Sequence, residues 1–138
     1  MRILLAAAPF FLLLASCAAR PPAQATGPAS GDAQRILATP LAETVGATDA
    51  VRIRAMAEAN GMLRHCRLRW EGYFGRMMTQ QRDLNRSEAE MQHIAVWHGY
   101  WLGATQRAAD RDQLPCPGDF RTSLRDRAEA LLRPIPGG

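Results

Sequence analysis

The sequence predicts an all-α domain: a small bundle of three or four helices clamped by one disulfide, after a disordered tether. Three observations carry this expectation. Apolar residues recur at steps of three and four from Leu63 to Leu131, the period of a helix with one buried face. Ser87-Glu88-Ala89-Glu90 has the form of a capping box ahead of a long apolar period. Two cysteines, Cys66 and Cys116, stand within that helical region. With 47% hydrophobic and 22% charged residues among 138, the chain has the composition of a globular protein rather than a disordered one. Its length leaves room for one modest core.

Residues 1–16 read as an export signal. Met1-Arg2 supplies the positive end, and Ile3 to Leu13 is apolar apart from Pro9. Eleven residues are too few to span a hydrocarbon core of roughly 30 Å as a helix. The segment ends in Leu14-Ala15-Ser16-Cys17, which resembles the bacterial lipobox: a leucine, two small residues and a cysteine whose thiol takes the lipid. The resemblance implies cleavage before Cys17, a diacylglyceryl group on its sulfur and a further acyl chain on the new amino terminus. Two or more acyl chains give stable anchoring. The alternative is ordinary secretory cleavage after Ala18 or Ala19, which discards the cysteine. Ala18 stands where inner-membrane lipoproteins often carry Asp, so the resemblance implies the outer membrane, facing the periplasm.

Residues 17–34 form the lipidated cysteine and a tether. Pro21, Pro22, Gly27, Pro28 and Gly31 punctuate it and no apolar period emerges, as in a flexible or partly polyproline linker. Residues 35–138 are the helical periplasmic domain. Thr39-Pro40 with Gly46 suggests a short first helix, proline fitting the opening turn and glycine the exit. Thr48 or Asp49 is a candidate N-cap for a helix that either breaks at Asn60-Gly61 or runs through. Leu63, Cys66, Trp70, Tyr73 and Met77, with Phe74 alongside, predict one helix of about twenty residues with an apolar stripe. Gly72 and Gly75 fall on its wetter face. The capping box starts a second long helix at Glu88, with Met91, Ile94, Ala95, His98, Trp101, Leu102 and Thr105 buried and an end near Ala109 or Asp110. Gly99 and Gly103, one turn apart, suggest close approach of another helix. A last helix follows Pro117-Gly118-Asp119, with Phe120, Leu124, Ala128 and Leu131 at helical spacing, and Pro134 and Pro136 end it.

With Cys17 taken by lipid, Cys66 and Cys116 have only each other, and an oxidising periplasm favours the bond. The alternative is a reactive Cys66 beside His65. A zinc pair on a helix needs two histidines three or four residues apart, whereas His93 and His98 are five apart and point about 140° from one another. No metal or other cofactor is expected. His98 lies among core positions, either as a hydrogen-bonded core residue or as a pH sensor. No Gly-x-Ser-x-Gly, phosphate loop, dinucleotide fingerprint or Cys-x-x-Cys occurs, and the acid pairs Glu88/Glu90 and Asp110/Asp112 sit at helix ends, so no enzyme is expected.

All seventeen basic residues are arginine, and the formal charge is +4. Eight arginines fall between Arg52 and Arg86 against three acids. That stretch is either a solvated helix face or an attraction for acidic partners or anionic lipid. Nucleic acid is not an expected partner, since basic and aromatic residues do not interleave. On the Glu88 helix, His93, Trp97, Tyr100 and Ala104 form a second stripe. It is covered either by the segment around Ile36, Leu37 and Leu41 or by a partner, for which Trp and Tyr are favoured anchors.

Gly61-Met62-Leu63-Arg64-His65-Cys66, Gly99-Tyr100-Trp101-Leu102-Gly103 and Cys116-Pro117 before an amphipathic helix resemble the Tai-type immunity proteins of type VI secretion. The cysteine usual before Gly-Tyr in that family is replaced here by Trp97-His98. Two cysteines about fifty residues apart in a helical chain are also similar to HdeA-type acid-stress chaperones. These resemblances imply a membrane-anchored, non-enzymatic binding module with a protein partner, immunity-like or envelope-associated. The alternatives are an acid-stress chaperone and, third, an enzyme of unfamiliar type.

Overall fold

The computed structural model describes residues 30–134. The export signal, Cys17 and the tether up to residue 29 lie outside the described residues, as does Pro136. The chain runs through α1 (Ser30–Leu37), α2 (Leu41–Val45), α3 (Ala47–His65), α4 (Glu71–Asp83), α5 (Glu88–Arg111) and α6 (Gly118–Leu131), with no strand among the described residues. The four longer helices make the expected bundle, and two short ones precede it. Residues 30–34, expected to be tether, belong to α1, where Asp32 and Arg35 form an ion pair three residues apart.

Helix α2 lies between Pro40 and Gly46 as the sequence predicts. Gly46 closes it at φ 87°, a left-handed conformation suited to glycine, and its N–H donates to the Ala42 carbonyl at 3.0 Å. Helix α3 then starts at Ala47, ahead of the expected caps Thr48 and Asp49. Asp49 instead sits in its first turn, where a carboxylate suits the helix dipole. Helix α3 runs unbroken through Asn60-Gly61 and is the centre of the bundle, contacting α2, α4, α5 and α6.

Its most extensive partner is α5, and the close approach is made by Gly61. A Cβ at Gly61 would lie 2.7 Å from the Leu102 carbonyl oxygen and 2.8 Å from Thr105 Cβ. This corrects the role expected of Gly99 and Gly103. Gly99 faces open space, and a Cβ at Gly103 would meet only Arg107 of its own helix, at 3.0 Å.

The long helix expected from Leu63 is two helices. Residues 66–70 break it, with Arg67 at φ 55°. The stripe survives the break: Leu63, Cys66 and Met77 are buried, and Trp70, Tyr73 and Phe74 pack against them. Gly72 and Gly75 are exposed. Helices α3, α4 and α5 all end in one way. A left-handed residue (Arg67, Asn85 or Gln113) is followed by an N–H that reaches back five residues: Leu68 to Leu63 at 2.8 Å, Arg86 to Gln81 at 3.4 Å and Leu114 to Ala109 at 3.1 Å. This is the Schellman closure, which satisfies carbonyls the helix end leaves free.

The capping box at Ser87 is formed: Ser87 N–H donates to Glu90 Oε2 at 2.8 Å, and Glu90 N–H donates to Ser87 Oγ at 3.3 Å. Along α5, Met91, Ile94, His98, Leu102 and Ala109 are buried. Helix α6 contributes Leu124 and Ala128, and its last carbonyls are taken by side chains of other helices. Arg52 donates to the Leu131 and Arg133 carbonyls at 3.0 and 2.9 Å, and Gln80 to that of Leu132 at 2.6 Å. Cys66, just past α3, is disulfide-bonded to Cys116, just before α6, with Cα atoms 5.6 Å apart. The bond fastens the start of the last helix to the end of the central one.

Candidate functional site

The second stripe of α5 is divided between cover and exposure. His93 Nδ1 is 2.9 Å from Thr44 Oγ1, and its Nε2 is 3.0 Å from the Thr39 carbonyl. The Trp97 indole N–H donates to that same carbonyl at 3.0 Å. The turn joining α1 to α2 therefore covers His93 and half-buries Trp97. Tyr100, one turn further, is 50% exposed. Its ring stands edge-on to Trp97 at 5.6 Å between centroids, and Trp97 leans on Trp101 at 4.7 Å.

The half-buried Trp97 and Trp101 border a shallow hollow of about 300 Å³, lined also by Pro40, Leu41, Ala47, Val51 and Arg54. Val51 is 68% exposed there. The Arg54 guanidinium lies 5.7 Å from the Trp101 ring centre, within cation–π range, and also donates to Glu58 at 2.8 Å. Arg107 extends back over Gly103 of its own helix. The edge pairs the Thr44 hydroxyl with the His93 imidazole beneath the turn that covers them. It otherwise offers rings, an aliphatic surface and the Arg54 guanidinium.

A second apolar surface lies across α3. A groove of about 480 Å³ runs between α3, α4 and the end of α6, floored by Ile53, Met56, Met77 and Leu131 and flanked by Asp49, Arg52 and Asp83. Residues Asp49, Arg52, Ile53 and Met56 face the groove, whereas Ala47, Ala50, Val51 and Arg54 face the hollow. At about 100° per residue these sets are on opposite sides of α3.

His98 is a core residue, 2% exposed. Asn60 Nδ2 donates to its Nε2 at 3.0 Å, so the ring is neutral and carries its proton on Nδ1. Phe74 and Trp70 lie against the ring, at 4.5 and 6.3 Å between centroids. Burial among them pushes the pKa down to about 4. Asn60 Oδ1 is buried without a partner among the described residues.

His65 behaves oppositely. Its Nδ1 is 2.6 Å from Asp110 Oδ1, and its Nε2 is 2.8 Å from the Leu114 carbonyl. The Asp110 hydrogen bond, then the Leu114 one, raises its pKa above the ordinary 6.5. His65, Cys66 and Cys116 bring ligand-type atoms within 4.8 Å of one another. The two sulfurs are bonded together, however, and carry no thiolate charge for a metal or a nucleophilic attack. His93 and His98 face different elements and share no site.

Half of the eight arginines of the basic stretch are engaged within the fold. Arg86 donates to Asp49 at 2.6 Å and to the Val45 carbonyl at 3.0 Å, and also reaches Glu90 and Gln81. Arg76 pairs with Glu129 at 2.6 Å, Arg54 with Glu58, and Arg52 caps α6. Most of these partners lie far away in sequence, so spacing gave no signal of them.

No family model, curated protein or solved structure matches the chain.

Proposed function

We propose that the chain is a membrane-anchored periplasmic lipoprotein whose helical domain is a non-enzymatic binding module, immunity-like or envelope-associated. The anchor reading rests on Leu14-Ala15-Ser16-Cys17 behind a short apolar leader. The binding reading is carried by one observation: the domain leaves the Tyr100 ring exposed against the half-buried Trp97, itself stacked on Trp101. Large rings left at a surface together are uncommon unless something covers them. No described helix is long and apolar enough to cross a membrane; in this reading the attachment is the lipid on Cys17. The groove across α3 gives such a module a second surface for a protein partner.

Cys17→Ala should abolish acyl labelling and move the protein from the membrane to the soluble fraction. Native protein that is unlabelled and already soluble refutes the anchor. Crosslinking in intact cells, with the lipid present, should capture a stoichiometric partner. Whatever covers the edge should be held less tightly by the Trp97→Ala, Tyr100→Ala double variant, while Tyr100→Ala alone, at a ring that is exposed, should leave the thermal melt within a few degrees of wild type. Unimpaired capture separates the edge from binding.

A further inference from the structure

Resting on that lipoprotein reading, we infer that the partner of the α5 edge is the bilayer to which the chain is tethered. The edge has the chemistry of a membrane interface. Tyr100 supplies an exposed ring with an apolar body and a polar atom, Trp97 and Trp101 pack behind it, Val51 supplies aliphatic surface, and Arg54 supplies a cation at its margin. Rings of this kind settle at headgroup level, and arginines beside them meet lipid phosphates. The hollow is lined by apolar residues and by Arg54, whose Nε is held by Glu58 while the rest of its guanidinium is left to meet a lipid phosphate.

The chain's connectivity points the same way. Cys17 precedes Ser30 by thirteen residues, a reach of at most about 40 Å at roughly 3.1 Å per residue. Helix α1, into which this segment leads, packs on α5, and Thr39 just beyond it is bonded to Trp97. The described chain thus begins beside α5. A patch this small holds a free protein weakly, but attachment through a short linker supplies an effective concentration on the order of millimolar. A bilayer needs no shape match, whereas a protein partner requires on the order of 800 Å² of complementary surface per side. Docking by this edge turns the groove, on the opposite side of α3, away from the membrane and toward soluble partners.

The test uses the full lipidated chain in vesicles of phosphatidylethanolamine and phosphatidylglycerol whose acyl chains carry bromine, a contact quencher of tryptophan. Trp70→Phe leaves Trp97 and Trp101 as the chain's tryptophans. Their emission should be strongly quenched relative to unbrominated vesicles. The Trp97→Phe, Trp101→Phe variant, which retains Trp70 near His98, should stay bright. Arg54→Gln should lower the ratio of docked to undocked protein about fivefold. Protein retained on the vesicles with Trp97 and Trp101 unquenched overturns bilayer docking while leaving the anchor standing. A photo-crosslinker at Tyr100 that captures protein and no lipid in cells also overturns it, in favour of a protein partner. Protein without acyl chains overturns both readings.

Discussion

His65 and Asp110 are joined by a 2.6 Å contact between ring Nδ1 and carboxylate oxygen, while the other ring nitrogen faces the Leu114 carbonyl. Both partners accept hydrogen bonds, so both ring nitrogens donate only when the ring is an imidazolium. That arrangement fastens the end of α3 to the end of α5 and to the loop leading to Cys116.

The pH dependence follows from the raised pKa. In the folded state the ring holds its proton above the 6.5 of an unconstrained histidine. The stabilisation is therefore fully present below about pH 6.5 and is lost as pH rises through the folded value. Melting temperature should fall as the pH rises above about 6.5. Asp110→Asn should flatten that fall. An unchanged slope in the variant means another group titrates there.

His98 gives the opposite slope. Its pKa is depressed to about 4 by burial, so below 6.5 the unfolded chain takes up a proton that the native core refuses. Stability is full above the unfolded value and falls as pH drops toward the folded one, by about 3 kcal/mol at 1.36 kcal/mol per unit. Denaturant unfolding at neutral pH and near pH 4 measures this. His98→Gln should remove this contribution to the acid loss, and an equal loss in the variant refutes the assignment.

Gly61→Ala should cost about 1 to 3 kcal/mol, because a methyl group there meets the α5 backbone and α3 and α5 must part. Gly99→Ala meets nothing within 4 Å and should gain up to about 1 kcal/mol of helix propensity. Chemical melts of the two variants read the contrast directly.

Cys66→Ser or Cys116→Ser should each lower stability by roughly 4 kcal/mol, the chain-entropy value for closing a loop of about fifty residues. Non-reduced mass spectra should show the pair linked. Free thiols at both positions would remove the clamp from the account and restore Cys66 as a candidate nucleophile.

Arg67 and Gln113 adopt left-handed conformations at φ 55° and 50°, which cost non-glycine residues about 1 kcal/mol or more. Arg67→Gly and Gln113→Gly should each recover about that amount in a thermal melt. A loss on either substitution would mean that the side chain holds its loop.

These same two residues show where sequence reasoning ran out. Ser87 to Glu90 and the span from Pro40 to Gly46 were legible because caps and turn residues act locally. The end of α3 was not, because Arg67 carries no turn signal and Leu63, Cys66, Trp70 and Tyr73 keep helical spacing across the break. Core positions remained readable even so, since Met77 and Phe74 bury the faces that the period assigns. The α5 stripe was legible as a stripe, but its cover was not. That Thr39 shields His93 and Trp97 and leaves Tyr100 open depends on where a turn more than fifty positions earlier comes to rest. Asp49 and Arg86, thirty-seven positions apart, were likewise invisible as a pair.

The bond between Cys66 and Cys116 also determines how the domain yields to force. It closes fifty positions of chain into a covalent ring holding α4 and α5. A pull on the two chain ends can peel α1 and α2, strip α3 from the N-terminal side as far as Cys66 and unravel α6. The ring itself hides about 170 Å of contour length, at roughly 3.4 Å per residue, which no load below bond rupture can draw out. A single-molecule extension trace should therefore lengthen by about that amount when a reductant is added, the oxidised domain being the shorter, stiffer link under load.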